Sequence, residues 1–245
     1  MGGYNAGEVA SKLAVRSVGF LVRQRLARLE PAPPPDAAMP TPAGMLLKES
    51  VQLANQRILK TAGTRAEYRG MGTTVVAVLF RGDRVHVAHV GDSRLYRFRD
   101  DQLHRLTTDH SLQEELVARG MFSAEEVRRL GKSNVVSRAL GVDAAVEVRV
   151  GEHEVRGGDL FLLCSDGLHD VLSEEDMLAN LRRFMPDLPR LTRALVQAAN
   201  ARGGKDNISV ILGWAEPAAE TRERTSWWQR RPWRSRPQNN NKKAS

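Results

Sequence analysis

Three short turns, each holding an aspartate, carry the residue types best suited to chemistry in this chain. They are Gly91-Asp92-Ser93-Arg94, Cys164-Ser165-Asp166-Gly167 and Gly204-Lys205-Asp206-Asn207. The first two follow apolar runs, Val85-His86-Val87-Ala88-His89-Val90 and Leu160-Phe161-Leu162-Leu163; the third precedes Ile208-Ser209-Val210-Ile211-Leu212. Strands aimed at acidic turns gather carboxylates at one rim of a sheet. Crowded carboxylates repel one another and call for protons or a cation. Hard divalent cations favour such oxygen ligands. The single cysteine, Cys164, excludes an internal disulfide framework and a cysteine zinc cage. Its strand setting reads as core packing rather than as a nucleophile.

The elements that must position these turns are legible from periodicity and punctuation. Asn5 with Glu8 has the form of an N-cap with its reciprocal acid, opening a helix whose apolar positions run from Val9 to Leu29. The proline-rich stretch 31–42 cannot continue it and is a loop. A second helix is predicted over 44–62. Strand character then takes over: 73–80, a turn at Arg81-Gly82-Asp83, and 84–90. A further hairpin, 94–98 with 102–106, turns around Arg99-Asp100-Asp101. A polar helical stretch starts near Ser111, and Ser123 with Glu126 makes a second capping box. Weak alternation over 146–155 and an apolar run over 159–164 give two more strands. Ser173 with Asp176 caps a helix through Arg183, Leu188–Ala201 forms another, and Gly203-Gly204 ends it. A final strand runs from Asn207 to Trp214. Hairpins outnumber strand-helix-strand units, which predicts an α+β fold with antiparallel sheets covered by helices.

Composition bounds the function. A chain of 245 residues with 41% hydrophobic and 27% charged residues fits one soluble domain with a tail. The net charge of +8 is concentrated: residues 217–245 hold eight Lys or Arg against two Glu, leaving the body near neutrality. That tail is Arg-, Trp- and Asn-rich, poor in aliphatic residues, and expected to be disordered. The body lacks the interleaving of aromatic and basic residues that nucleic-acid binding favours. No apolar run approaches the roughly 20 residues of a membrane span, and no secretory signal pattern is present. A cytoplasmic setting is the expectation.

The motifs, taken together, resemble the metal-dependent protein phosphatases of the 2C class in their compact bacterial form. The matching pieces stand in family order: Gly70-Met71-Gly72-Thr73-Thr74, Ala88 to Tyr96, Leu106 to Ser111, Ser137 to Gly141, Leu163 to Leu168 and Lys205 to Ser209. Any one tripeptide is weak; the ordered series is specific. The resemblance implies an antiparallel β-sandwich flanked by helix pairs over residues 1–215, with 216–245 as the tail. It also implies hydrolysis of phosphoserine and phosphothreonine on proteins, the products of a cognate serine/threonine kinase, by a monomeric enzyme. Two Mn²⁺ or Mg²⁺ ions would activate a water, with a third ion held more weakly, and no enzyme nucleophile would be needed.

Carried over residue by residue, Asp166 and Asp206 correspond to metal ligands, and Asp109 to the aspartate that helps hold the third ion. Asp92 reads as structural, bracing its turn with Arg94 pairing nearby. Gly167 and Asn207 shape the site. His110 is expected to be a partly exposed histidine supporting its loop, with a leaving-group role as the sharper alternative. His86, His89 and His104 lack ligand spacing and read as structural. Residues 112–140 resemble the family's flap, where Arg119, Arg128, Arg129 and Lys132 are candidates for meeting acidic phosphopeptides, against a solvated helix face.

One departure from the family pattern bears on activity. Members carry Asp-Gly-Met-Gly-Gly before the first helix, and that Asp bridges two ions; here the chain opens Met1-Gly2-Gly3. The resemblance therefore implies an incomplete start lacking the initial strands, from a misplaced start codon or a truncated product. The rival reading is a phosphatase-like module that binds phosphoproteins without turnover.

Overall fold

The structure, a computed structural model, describes residues 6–29, 41–129, 135–204 and 206–216. Helix α1 (Gly7–Arg25) opens it, and its N-cap is Ala6 in the left-handed region with no side-chain bond. The cap predicted at Asn5 lies outside the described residues, as do most of the 31–42 loop, Lys132 and the whole of 217–245. Helix α2 (Pro42–Ala62) starts two residues earlier than periodicity suggests. Thr41 caps it by accepting from Gly44 N, and Pro42 takes the first helical position, where its missing N–H costs nothing.

Strands β1 (Val75–Arg81), β2 (Arg84–Val90) and β5 (Arg149–Glu154) form one antiparallel sheet in the order β1-β2-β5. The other sheet has the order β4-β3-β6-β7, from β3 (Arg94–Arg99), β4 (Gln102–Arg105), β6 (Leu160–Cys164) and β7 (Val210–Trp214). The β3–β4 turn is made by Asp100 and Asp101 with positive φ of 49° and 60°, a backbone that matches hairpin twist. Along the chain, α3 (Leu112–Ala118) and α4 (Ala124–Arg129) stand between β4 and β5; after β6 come α5 (Asp166–His169), α6 (Glu174–Phe184) and α7 (Leu188–Ala201). The capping boxes read at Ser123 with Glu126 and at Ser173 with Asp176 are both formed.

Burial explains the layering. Strand β6 is buried along its whole length, so its alternate residues serve two cores. Leu160, Leu162 and Cys164 pack against α5 to α7, while Phe161 and Leu163 meet Val85, Val87 and Leu95 between the sheets. Helices α1 and α2 cover the outer face of the first sheet through Ala10, Ala14, Leu47, Val51 and Ile58. The result is the α+β fold of antiparallel sheets covered by helices that the pattern predicts, arranged as the sandwich flanked by helix pairs that the resemblance implies. The short α5 turn is an addition that periodicity did not reveal, because four residues are too few to show it. No helix among the described residues is long and apolar enough to cross a membrane.

Candidate metal centre

Register brings the turns together. Arg94, at the start of β3, pairs with Cys164, at the end of β6, and Cys164 pairs with Val210, at the start of β7. The segments just beyond that line are therefore 91–93, 165–167 and 206–209, and all three emerge at one rim of one sheet.

Each segment is then fastened. Ser165 N donates to Ser209 O (3.1 Å), and Ser209 N donates back to Ser165 Oγ (3.0 Å). Ser165 Oγ also donates to Asn207 O at 3.2 Å. Gly167 lets the two backbones approach: a Cβ there would stand 2.5 Å from Asn207 O and 3.4 Å from Asp206 O. Asp166 opens α5 and its Oδ1 accepts from Gly167 N (2.9 Å); Asp206 is exposed, and its Oδ1 accepts from Asn207 N (2.7 Å). Each carboxylate is thus oriented by its own turn.

On the neighbouring turn, Gly91 has φ of +102° and no room for a side chain, since a Cβ would meet Thr74 Cγ2 at 2.3 Å. Thr74 Oγ1 and Ser93 Oγ share a hydrogen bond of 2.9 Å. Asp92 is half-buried, and its carboxyl is pushed above the ordinary range, first by burial and then by the charge of Asp166. A group disfavoured as an anion beside a second anion is the electrostatic sign of a rim short of positive charge.

Arg94 does not supply that charge to Asp92. Its Nε and Nη2 donate to both oxygens of Asp109, and its Nη1 donates to Tyr96 Oη at 3.1 Å. Burial alone would lower the Arg94 pKa, but the bonds and charge of Asp109, with Tyr96, outweigh it and raise it. Arg105 Nη1 lies 3.7 Å from the same carboxylate. The pairing read for Arg94 with the Asp92 turn is thereby corrected: the loop after β4 returns beside β3 and sets Asp109 against the guanidinium. Asp109 is committed to arginines. Among the described residues no group of three or more His, Cys, Asp or Glu side chains stands ready to hold an ion.

His110 is buried rather than partly exposed. Its Nδ1 accepts from Gly91 N (3.2 Å) and its ring stacks on His89 with centroids 5.0 Å apart. Burial, then the neighbouring His89, lowers its pKa to about 4, so it stands neutral, with its one ring proton on the buried, unpartnered Nε2. His86 and His89 are buried in β2, and each bonds within the fold. Burial pushes the Cys164 thiol up to about 12, which removes it as a nucleophile.

The residues present fit a hard divalent cation in kind. Asp166 and Asp206 are oxygen donors with oriented carboxylates, held backbone to backbone, beside the Asp92 carboxyl, which burial first and then Asp166 disfavour as an anion. Two residues went unassigned at the level of sequence. Ser165 locks the Asp206 segment, and His169 Nε2 lies 3.0 Å from Asp92 O. No local signal marks His169, because the four-residue turn it ends is too short to show and its partner lies 77 positions away.

The profile of the protein phosphatase 2C family matches residues 1–212. The chain belongs to the protein phosphatase 2C family. The serine/threonine phosphatase stp of Listeria innocua is 35% identical over 212 residues, 86% of this chain and 80% of that protein. The serine/threonine protein phosphatase PstP of Mycobacterium tuberculosis is 34% identical over 215 residues, 86% of this chain and 38% of PstP. The crystal structure of the M. tuberculosis phosphatase PstP/Ppp superposes with a TM-score of 0.74 at 34% identity, covering 88% of this chain and 85% of that one. The catalytic domain of PstP in complex with two manganese ions superposes with a TM-score of 0.69 at 34% identity, covering 86% and 83%. Family membership thus rests on the whole body of the chain and not on the acidic turns alone. The phosphatase names of these relatives favour the enzyme reading over a module without turnover.

Proposed function

We propose that this chain is a divalent-metal-dependent serine/threonine protein phosphatase that releases phosphate from phosphoserine and phosphothreonine on proteins. The observation that carries the reading is the register that aligns Arg94, Cys164 and Val210, because it delivers the Asp166 and Asp206 turns to one rim. Asp166 and Asp206 are the metal-holding carboxylates, suited by donor type to Mn²⁺ or Mg²⁺, two ions in number. Asp109 serves a third ion, and its pairing with Arg94 is a standing competitor that makes that site weak. Asp92, Gly167 and Asn207 shape the rim. When bound, the cations supply the positive charge that activates a water and neutralises the phosphoryl oxygens. The protein contributes no nucleophile of its own: Cys164 is buried and protonated.

The substrates are phosphoproteins made by a partner serine/threonine kinase, and the phosphatase names of the relatives support that class. We take residues 1–215 as the phosphatase domain and 216–245 as a basic tail, acting as a monomer in the cytoplasm, without nucleic acid. The decisive experiment is Mn²⁺-dependent phosphate release from a phosphothreonine peptide. Release should disappear on chelation and in Asp166→Asn and Asp206→Asn. Phosphopeptide binding by the unaltered chain with no release in Mn²⁺ would replace this reading with the binding module.

A further inference from the structure

We propose that His169 is the positioning residue that ties the Asp92 turn to the Asp166 turn and thereby sets how tightly the rim takes a divalent cation. The inference rests on Asp166 as a metal ligand. His169 ends α5, three residues after Asp166, and is buried at 6% exposure. Its Nε2 lies 3.0 Å from the carbonyl oxygen of Asp92. A carbonyl can only accept, so Nε2 must carry the proton. The other nitrogen, Nδ1, is buried without a hydrogen bond and lies 3.5 Å from Asp170 Oδ1.

The tie matters because it links two acidic turns of the rim. Each of the two turns carries a carboxyl, Asp92 on one and Asp166 on the other, and Arg94, the nearest arginine in sequence, is spent on Asp109. The remaining bonds of the Asp92 turn run elsewhere: Ser93 to Thr74, and Gly91 to His110 in both directions. The bond from His169 joins segment 91–93 to the turn that carries Asp166. The segment carrying Asp206 is already locked to the Asp166 turn by Ser165. Gly91 and Ser93 fix the two ends of that turn, and the bond from His169 fixes the Asp92 carbonyl between them against the Asp166 turn.

The test is Mn²⁺ binding by calorimetry on the full chain at neutral pH, with unfolding by urea in EDTA measured alongside. His169→Phe keeps the ring and removes the donor, whereas His169→Gln places an amide N–H where Nε2 stands. Mn²⁺ binding should weaken roughly tenfold in His169→Phe and return to within about threefold in His169→Gln, the scale on which supporting bonds tune a metal site. A merely structural histidine would lower stability in EDTA for both variants without this donor-dependent recovery. Equal Mn²⁺ affinity in His169→Phe and the unaltered chain, with Asp166→Asn defective, would overturn the role of His169 and leave the metal assignment standing. Unchanged binding in Asp166→Asn, or no binding by the unaltered chain, would overturn both. Should His169→Phe fail to fold, nitrogen NMR of the unaltered imidazole decides: a proton on Nε2 is expected, and a proton on Nδ1 alone would sink the proposal.

Discussion

Arg94 and Asp109 form a two-pronged ion pair beside the acidic rim, with Nη2 2.6 Å from Oδ2 and Nε 3.0 Å from Oδ1. Fifteen residues separate them in the chain. Leu106 N donates to Leu95 O, so the segment after β4 keeps returning alongside β3 and carries Asp109 to the guanidinium. The side chains are 19% and 10% exposed, which places the pair between a surface contact and a core one.

Among the described residues, Arg94→Leu leaves the Asp109 carboxylate with the more distant Arg105. Urea unfolding should show a loss of about 2–4 kcal/mol, in the range for a partly buried pair stripped of one member. Arg94→Lys should recover only part of it, because an ammonium cannot donate side by side to both oxygens. A loss below about 0.5 kcal/mol would mean the pair behaves as an exposed one.

Gly167→Ala tests the backbone approach. The added methyl group meets Asn207 O at 2.5 Å, and a carbonyl in a fastened segment cannot rotate away as a side chain would. Overpacking of this kind costs about 1–3 kcal/mol. Mn²⁺ affinity should fall in the same variant, since the Asp206 turn must move to make room. Calorimetry and urea unfolding on one preparation check both effects. Loss of stability with unchanged Mn²⁺ affinity would separate the close approach from the metal site.

His86 supplies a pH prediction remote from the rim. It is buried in β2, and its Nδ1 stands 3.0 Å from Thr41 Oγ1, the cap of α2, and 3.3 Å from Glu152. Its pKa is lowered, by burial first and with Arg81 and Arg84 adding to it, against the opposing pull of Glu152. A histidine whose folded pKa lies below its unfolded value contributes stability fully present above the unfolded value. That stability drains away as pH falls from about 6.5 toward the lower folded value, because the unfolded chain takes the proton first. His86→Asn, which can keep an acceptor for the Thr41 hydroxyl, should show a shallower loss of urea midpoint on acidification through that window. An identical slope in both proteins would remove His86 from the account. His89 and His110 are shifted in the same direction, so part of the slope should remain.

What the sequence alone determined was local or ordered along the chain. The capping boxes at Ser123 and Ser173, the glycine stop after α7, the hairpin turn at Asp100-Asp101 and the run of β6 depend on residues within a few positions of one another. The ordered motifs, read together, named the family. The acidic turns were visible for the same reason, since a strand and the turn that ends it are contiguous.

Tertiary structure decided which distant groups meet. Sequence adjacency suggested Arg94 for the Asp92 turn, yet a strand residue projects sideways, toward whatever the neighbouring segment brings, and that segment brought Asp109. Burial of His110 depended on its stacking against His89, a strand away. The small space at Gly167 existed only once the Asn207 carbonyl had been laid over it by β7. The tie from His169 to Asp92 spans 77 positions and crosses the rim, so no periodicity could announce it. Propensity and capping act over a few bonds; charge pairing, burial and close approach act through space, and only the packed sandwich sets those distances.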